Sequence, residues 1–153
     1  MCFSDKGQLY CDFKYAAFSR ENRKSIGENE EKLMANSIKS SLESLVCLHE
    51  FPNYQIDVFI LVLEDDGSVL STSIMAAGLA FVDASIPCFD LIASSSVAFV
   101  NGNILLDPTG AEENIVNATN PHENHGTLTI SSLDSIDQIS QIFFSGHIEP
   151  DLL

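Results

Sequence analysis

Lysine and arginine stop at Lys39. Lys6, Lys14, Arg20, Arg23, Lys24, Lys32 and Lys39 face 22 acidic residues, and the formal net charge is −15 over 153 residues. Grip on nucleic acid comes mainly from cations that neutralise phosphates. Residues 40–153, with sixteen acids and neither cation, cannot supply it. RNA contact would have to come from the first forty residues or from another chain. Cys2, Cys11, Cys47 and Cys88 form no C-x-x-C pair, so metal-site spacing is absent and reduced thiols are expected. No apolar run reaches membrane-spanning length, and the most apolar stretch is broken at Glu64, Asp65 and Asp66. Met1-Cys2-Phe3-Ser4-Asp5-Lys6 lacks the basic-then-apolar layout of a secretory leader. There is no internal repeat and no low-complexity tail. The expectation is a soluble, intracellular protein of one domain, with enough apolar content for a core and no membrane partner.

What the chain does have is centred on residues 56–84. Ile56 to Leu63 is rich in β-branched, aliphatic and aromatic residues, which predicts a strand with both faces largely buried. Asp65-Asp66-Gly67-Ser68 turns the chain, with Gly67 free to take positive φ. The helix that follows is apolar almost all round, through Ile74, Met75, Leu79, Phe81 and Val82, which predicts burial in mid-domain. Ser85-Ile86-Pro87 closes it.

Around this spine, Gln8 to Tyr15 alternates loosely as a strand with one wet face does. From about Asn29 to His49, Met34, Ile38, Leu42 and Leu45 form one helical stripe, with Glu28, Glu30 and Glu31 near its start and Phe51-Pro52-Asn53 at its end. Asp90 to Val100 predicts a strand, Asn101-Gly102 a hairpin turn, and Asn103 to Asp107 the returning strand. Pro108 to Gly126 is polar and predicts an irregular segment. Gly126 to Ser131 and Ile139 to Ser145 predict two more strands.

Each candidate for chemistry has a plainer reading. Glu64-Asp65-Asp66 could hold Mg²⁺, but three adjacent acids with no second cluster fit a solvated turn capping a helix. His122-Glu123-Asn124-His125 lies in a Pro/Asn stretch without cysteine support for a metal. Asn117-Ala118-Thr119 matches the glycosylation acceptor pattern, which has meaning only on the secretory route. Ser94-Ser95-Ser96 and Ser145-Gly146-His147 lack the strand, G-x-S-x-G and helix of a nucleophile elbow. These readings give no catalytic, cofactor-binding or metal residue.

The order of the pieces carries a resemblance. Cys11-Asp12-Phe13-Lys14-Tyr15-Ala16-Ala17-Phe18-Ser19, then a helix, then Leu63-Glu64-Asp65-Asp66-Gly67-Ser68 and an Ala-rich helix ending Val82-Asp83-Ala84-Ser85-Ile86-Pro87 are followed by Asp90-Leu91-Ile92 and Leu105-Leu106-Asp107-Pro108-Thr109 with Glu112-Glu113. This resembles the RNase PH family, and within it the mRNA transport regulator type of subunit in the eukaryotic RNA exosome ring. The resemblance implies an α/β fold of the ribosomal protein S5 domain 2-like kind, a mixed sheet with packed helices and a left-handed crossover, against the usual rule. It also implies that 1–153 is a partial RNase PH-like domain, lacking N-terminal strands and a C-terminal helix. The strand at Leu9 to Tyr15 would then expose Leu9, Phe13 and Tyr15 beside an open edge, and Ile139, Ile142 and Phe144 would lie on an uncovered sheet face.

Two departures bear on activity. Active members of the family follow the acidic turn with Gly-Gly-Thr-Arg, which holds the attacking phosphate; Gly67, Ser68, Val69 and Leu70 stand there. They also carry two Asp residues six apart, and those places fall on Glu113 and Thr119. Leu70 cannot donate to phosphate, Val69 lacks the hydroxyl, and Thr119 lacks the carboxylate. Phosphorolysis must bring an anion to an anionic chain, so the lost cation weighs most. The resemblance thus implies a pseudo-enzyme, a non-catalytic ring subunit. Its partners would be other RNase PH-like exosome ring subunits and an S1/KH-type cap protein, with RNA met only through the assembled ring. Its setting would be 3′-to-5′ RNA processing and decay, including rRNA processing, in nucleus, nucleolus and cytoplasm. The alternative is an active phosphate-dependent exoribonuclease. A carboxylate–metal hydrolase built on Glu64, Asp65 and Asp66 is the third possibility.

Overall fold

The computed structural model describes residues 4–19, 27–100, 102–119 and 124–147, so Asn101, His122 and Glu123 lie outside the described residues. Strand β1 (Gln8–Tyr15) turns Leu9, Cys11 and Phe13 inward and Tyr10 and Lys14 outward. Helix α1 (Glu28–Leu45) lays its stripe of Ile38, Leu42 and Leu45 into the same core, with Met34 packed beside it. Leu9 and Phe13 are therefore buried, contrary to the expectation of apolar residues beside an exposed edge; α1 covers them.

The helix ends four residues earlier than its stripe predicts. Val46 is extended and bridges to Cys88, the Cys47 N–H donates to the Pro87 carbonyl (3.0 Å), and the Phe89 N–H donates to that of Leu45 (2.9 Å). These long-range bonds replace another turn of helix.

Strand β2 (Gln55–Val62) pairs in parallel with β1, Leu9 against Ile56 through Tyr15 against Val62. Its inner row, Ile56, Val58, Ile60 and Val62, joins the core. The outer row does not: Phe59 is 72% and Leu61 60% exposed. The expected burial of both faces fails because the helices pack on one side of this sheet only. Helix α2 (Val69–Asp83) is corrected likewise: Leu70, Ile74, Ala77 and Phe81 are buried, whereas Leu79 and Val82 are exposed. It packs on α1 and on the next strand through one side, with Ile92 seated against Gly78, where an added Cβ would lie 2.5 Å from the Ile92 Cγ2.

Strand β3 (Ile92–Val100) forms the predicted hairpin with β4 (Asn103–Leu106), then pairs with β5 (His125–Leu133), which pairs with β6 (Gln138–His147). The second sheet is antiparallel throughout, in the order β4-β3-β5-β6. The chain is α/β as expected, with parallel and antiparallel pairing divided between two sheets and α1 and α2 packed between them. Ser41 and Ser44 of α1 reach β6, Ser41 Oγ donating to Gln141 Oε1 (2.5 Å) and Ser44 Oγ lying 2.7 Å from Ser140 Oγ. The opposite face of this sheet carries Ile139, Ile142 and Phe144 and is exposed, as expected.

The segment predicted to be irregular instead contains α3 (Gly110–Ala118). A capping box starts it: the Thr109 N–H donates to Glu112 Oε2 (2.8 Å), and the Glu112 N–H donates to Thr109 Oγ1 (3.5 Å). Val116 is its one buried residue and anchors it near β3 and β5. No helix among the described residues is long and apolar enough to cross a membrane.

Candidate functional site

The acidic turn and the start of α3 lock together. Gly67 holds φ +95°, and a Cβ there would lie 2.4 Å from the Pro108 carbonyl oxygen, so the sequence must keep glycine at this contact. The Gly110 N–H donates to the Asp66 carbonyl (2.7 Å), and Ser68 Oγ donates to the Pro108 carbonyl (3.2 Å). Ser68 is itself left-handed, at φ 51° and ψ 30°, and caps α2 with its carbonyl, which accepts from the Thr72 N–H (3.2 Å) and from Ser71 Oγ (2.9 Å).

Two carboxylates serve the N–H groups of this turn. Asp65 Oδ1 accepts from the Gly67 N–H at 3.3 Å, and Glu113 Oε1 accepts from the Ser68 N–H at 2.9 Å. Successive N–H groups in such a turn, at the start of a helix, favour an anion. The chain's own side chains fill that role. Glu64 and Asp66 are exposed, and no three His, Cys, Asp or Glu side chains among the described residues converge as metal ligands do.

The structure separates the other predicted positions. Leu70 is 5% exposed, inside the core formed with Leu45, Ile74 and Phe81. Thr119 caps the far end of α3, its Oγ1 donating to the Ile115 carbonyl (2.8 Å). Six helical residues span about 9 Å and 600° of turn, so Thr119 does not share the face on which Glu113 meets Ser68. His125 and His147 lie opposite each other on β5 and β6, well away in sequence from the turn. Ser94 and Ser96 pair across to Ser131 (3.0 Å) and Thr129 (2.9 Å), so they are hydroxyls tied within the sheet. Burial above all, with Asp12 adding and Lys39 opposing, pushes the Cys11 thiol up to about 11, which disfavours the reactive thiolate. The Thr109/Glu112 capping box and the Glu113 contact are what sequence reasoning missed, although the T-x-x-E spacing marks the first.

Residues 2–87 match the model of the 3′ exoribonuclease family, domain 1, the RNase PH domain. The chain belongs to the RNase PH family. It is similar to human exosome complex component MTR3, 34% identical over 145 residues, which are 92% of this chain and 50% of that protein. It is also similar to the exosome complex component RRP41-like of Arabidopsis thaliana, 31% identical over 147 residues, 95% of this chain and 53% of that one. The chain thus spans about half the length of these relatives. Among solved structures, rice Rrp46 superposes with a TM-score of 0.73 at 23% identity, over 96% of this chain and 62% of that one. A chain of the Archaeoglobus fulgidus exosome with RNA bound to the active site superposes with a TM-score of 0.75 at 18% identity, over 98% and 65%. These superpositions bear on the fold alone.

Gly67, Ser68, Val69 and Leu70 stand where the resemblance sets Gly-Gly-Thr-Arg. Ser68 holds a left-handed conformation that glycine takes without strain and adds a hydroxyl bond to Pro108. Leu70 turns into the core.

Proposed function

We propose that this RNase PH-family chain is a non-catalytic subunit of an RNA exosome ring, contributing to the wall through which RNA passes during 3′-to-5′ processing and decay. The observation that carries the reading is Leu70: at the arginine position the side chain is apolar and buried, and no lysine or arginine follows Lys39. The hydrogen bond from the Ser68 N–H to Glu113 supports it further, because that donor is engaged within the chain and not open to a phosphate oxygen. The names of the relatives support the assembly. Its partners in this reading are other RNase PH-like ring subunits and an S1/KH-type cap protein, with RNA held by the ring rather than by this acidic chain. Nucleus, nucleolus and cytoplasm are the compartments proposed.

The rival reading is an active phosphate-dependent 3′-to-5′ exoribonuclease, which the family description favours. Purified chain given 3′-tailed RNA, phosphate and Mg²⁺ should release no nucleoside diphosphate. Phosphate-dependent release above a blank, lost in Glu113→Gln, would make the chain an enzyme and end the non-catalytic reading.

A further inference from the structure

We infer that the outer face of the β1–β2 sheet docks a different protein subunit, one whose apolar patch is flanked by lysine or arginine. The inference rests on the ring-subunit reading and names a surface for it. Tyr10, Phe59 and Leu61 lie on this face, 49%, 72% and 60% exposed, with Tyr10 and Phe59 rings edge to face at 6.5 Å. The strand register sets Asp12 beside Phe59, Asp57 beside Tyr10 and Lys14 beside Leu61. An apolar, aromatic centre among charges is the composition of a protein interface, in which a few aromatic anchors sit inside a polar rim.

The other exposed apolar face differs in kind. On the antiparallel sheet, Val97 pairs with Leu106 and Leu128, and Phe99 with Ile104; Ile130 pairs with Ile142, and Leu128 with Phe144. No charged residue enters that set of pairs, whereas charges stand among the apolar residues of the β1–β2 face. Charge decides the occupant of the β1–β2 face. Two carboxylates against one ammonium favour a cationic partner surface and disfavour RNA. A second copy would bring a further net charge of −15.

The full chain should be co-expressed with separately tagged RNase PH-fold exosome subunits from the same organism, and complexes measured by size-exclusion chromatography with light scattering. Wild type is expected to form a one-to-one complex with at least one subunit. Phe59→Ser/Leu61→Ser should weaken it at least tenfold, and Asp57→Lys should weaken it several-fold. Ile142→Ser/Phe144→Ser, on the other sheet, should leave it intact. If wild type binds and the Phe59/Leu61 variant binds equally, this inference fails while the ring-subunit reading stands. If wild type binds none of the subunits, both fail. A wild-type homodimer that the Phe59/Leu61 variant dissociates would assign the face to a second copy and overturn the cationic partner.

Discussion

Leu70→Arg is the most direct test of the proposal that position 70 has become core in place of a phosphate-binding arginine. The side chain at 70 is 5% exposed among Leu45, Ile74 and Phe81. Removing a buried leucine forfeits about 1.5–3 kcal/mol of burial. Placing a guanidinium in the same space adds the cost of an unpaired buried charge, several kcal/mol unless the side chain swings its head to water. A total of about 3–5 kcal/mol follows, a large share of the roughly 5–15 kcal/mol that holds a domain folded. For a chain of this size each kcal/mol moves the melting temperature by about 2–4 °C, so the expected drop is on the order of 10 °C.

The assay is thermal unfolding followed by circular dichroism, with Leu70→Met as control. Methionine keeps volume and apolarity and should cost less than about 1.5 kcal/mol. The same Leu70→Arg protein should stay silent in the phosphorolysis assay, because Thr119 still supplies no carboxylate. Two results would refute the reasoning. A melting temperature within about 2 °C of wild type would mean that position 70 tolerates a charge and is not core. Phosphate-dependent activity gained by Leu70→Arg would mean that one cation was all the site lacked.

Gly67→Ala should be more damaging than an ordinary loop substitution, by about 2–4 kcal/mol. It combines φ +95° with a Cβ 2.4 Å from the Pro108 carbonyl oxygen; a melting temperature equal to wild type would show that the turn and α3 are not locked. The isolated chain should self-associate more as salt rises, since screening weakens the mutual repulsion of its −15 charge while Ile142 and Phe144 stay 58% and 44% exposed. Light scattering at 50 and 500 mM NaCl reads this, and a monomer at both with a sharp, reversible thermal transition would contradict it.

What the sequence disclosed follows from how local each signal is. The α1 stripe, the alternation of β1, the Asn101-Gly102 hairpin and the positive φ at Gly67 depend on neighbours a few residues away, and each stands where predicted within the described residues. Helix α3 was missed because one residue, Val116, anchors it. The hydrophobic pattern of so shallow a helix is faint, and only the Thr109/Glu112 box announces its start. The direction of Leu70 was not legible either. Position 70 is fixed by the left-handed Ser68 before it, and that conformation is secured by Pro108 and Glu113, 40 and 45 residues away.

The sidedness of β2 and α2 has a different cause. Apolar residues occupy both faces of β2, Ile56, Val58 and Ile60 inward and Phe59 and Leu61 outward. Apolarity in a sequence registers every surface that is dry in the working state, whichever molecule dries it. Alternation marks the outer row as wet only at Gln55 and Asp57, and it is lost at Phe59 and Leu61. A strand that reads as doubly buried but is covered on one side is the feature on which the proposed docking face rests. For the outer β1–β2 face the interspersed Asp12, Lys14 and Asp57 narrow that further, because charges next to a core would each cost several kcal/mol unpaired. At an interface they can meet opposite charges. Two carboxylates against one ammonium on this face favour the basic partner surface proposed above.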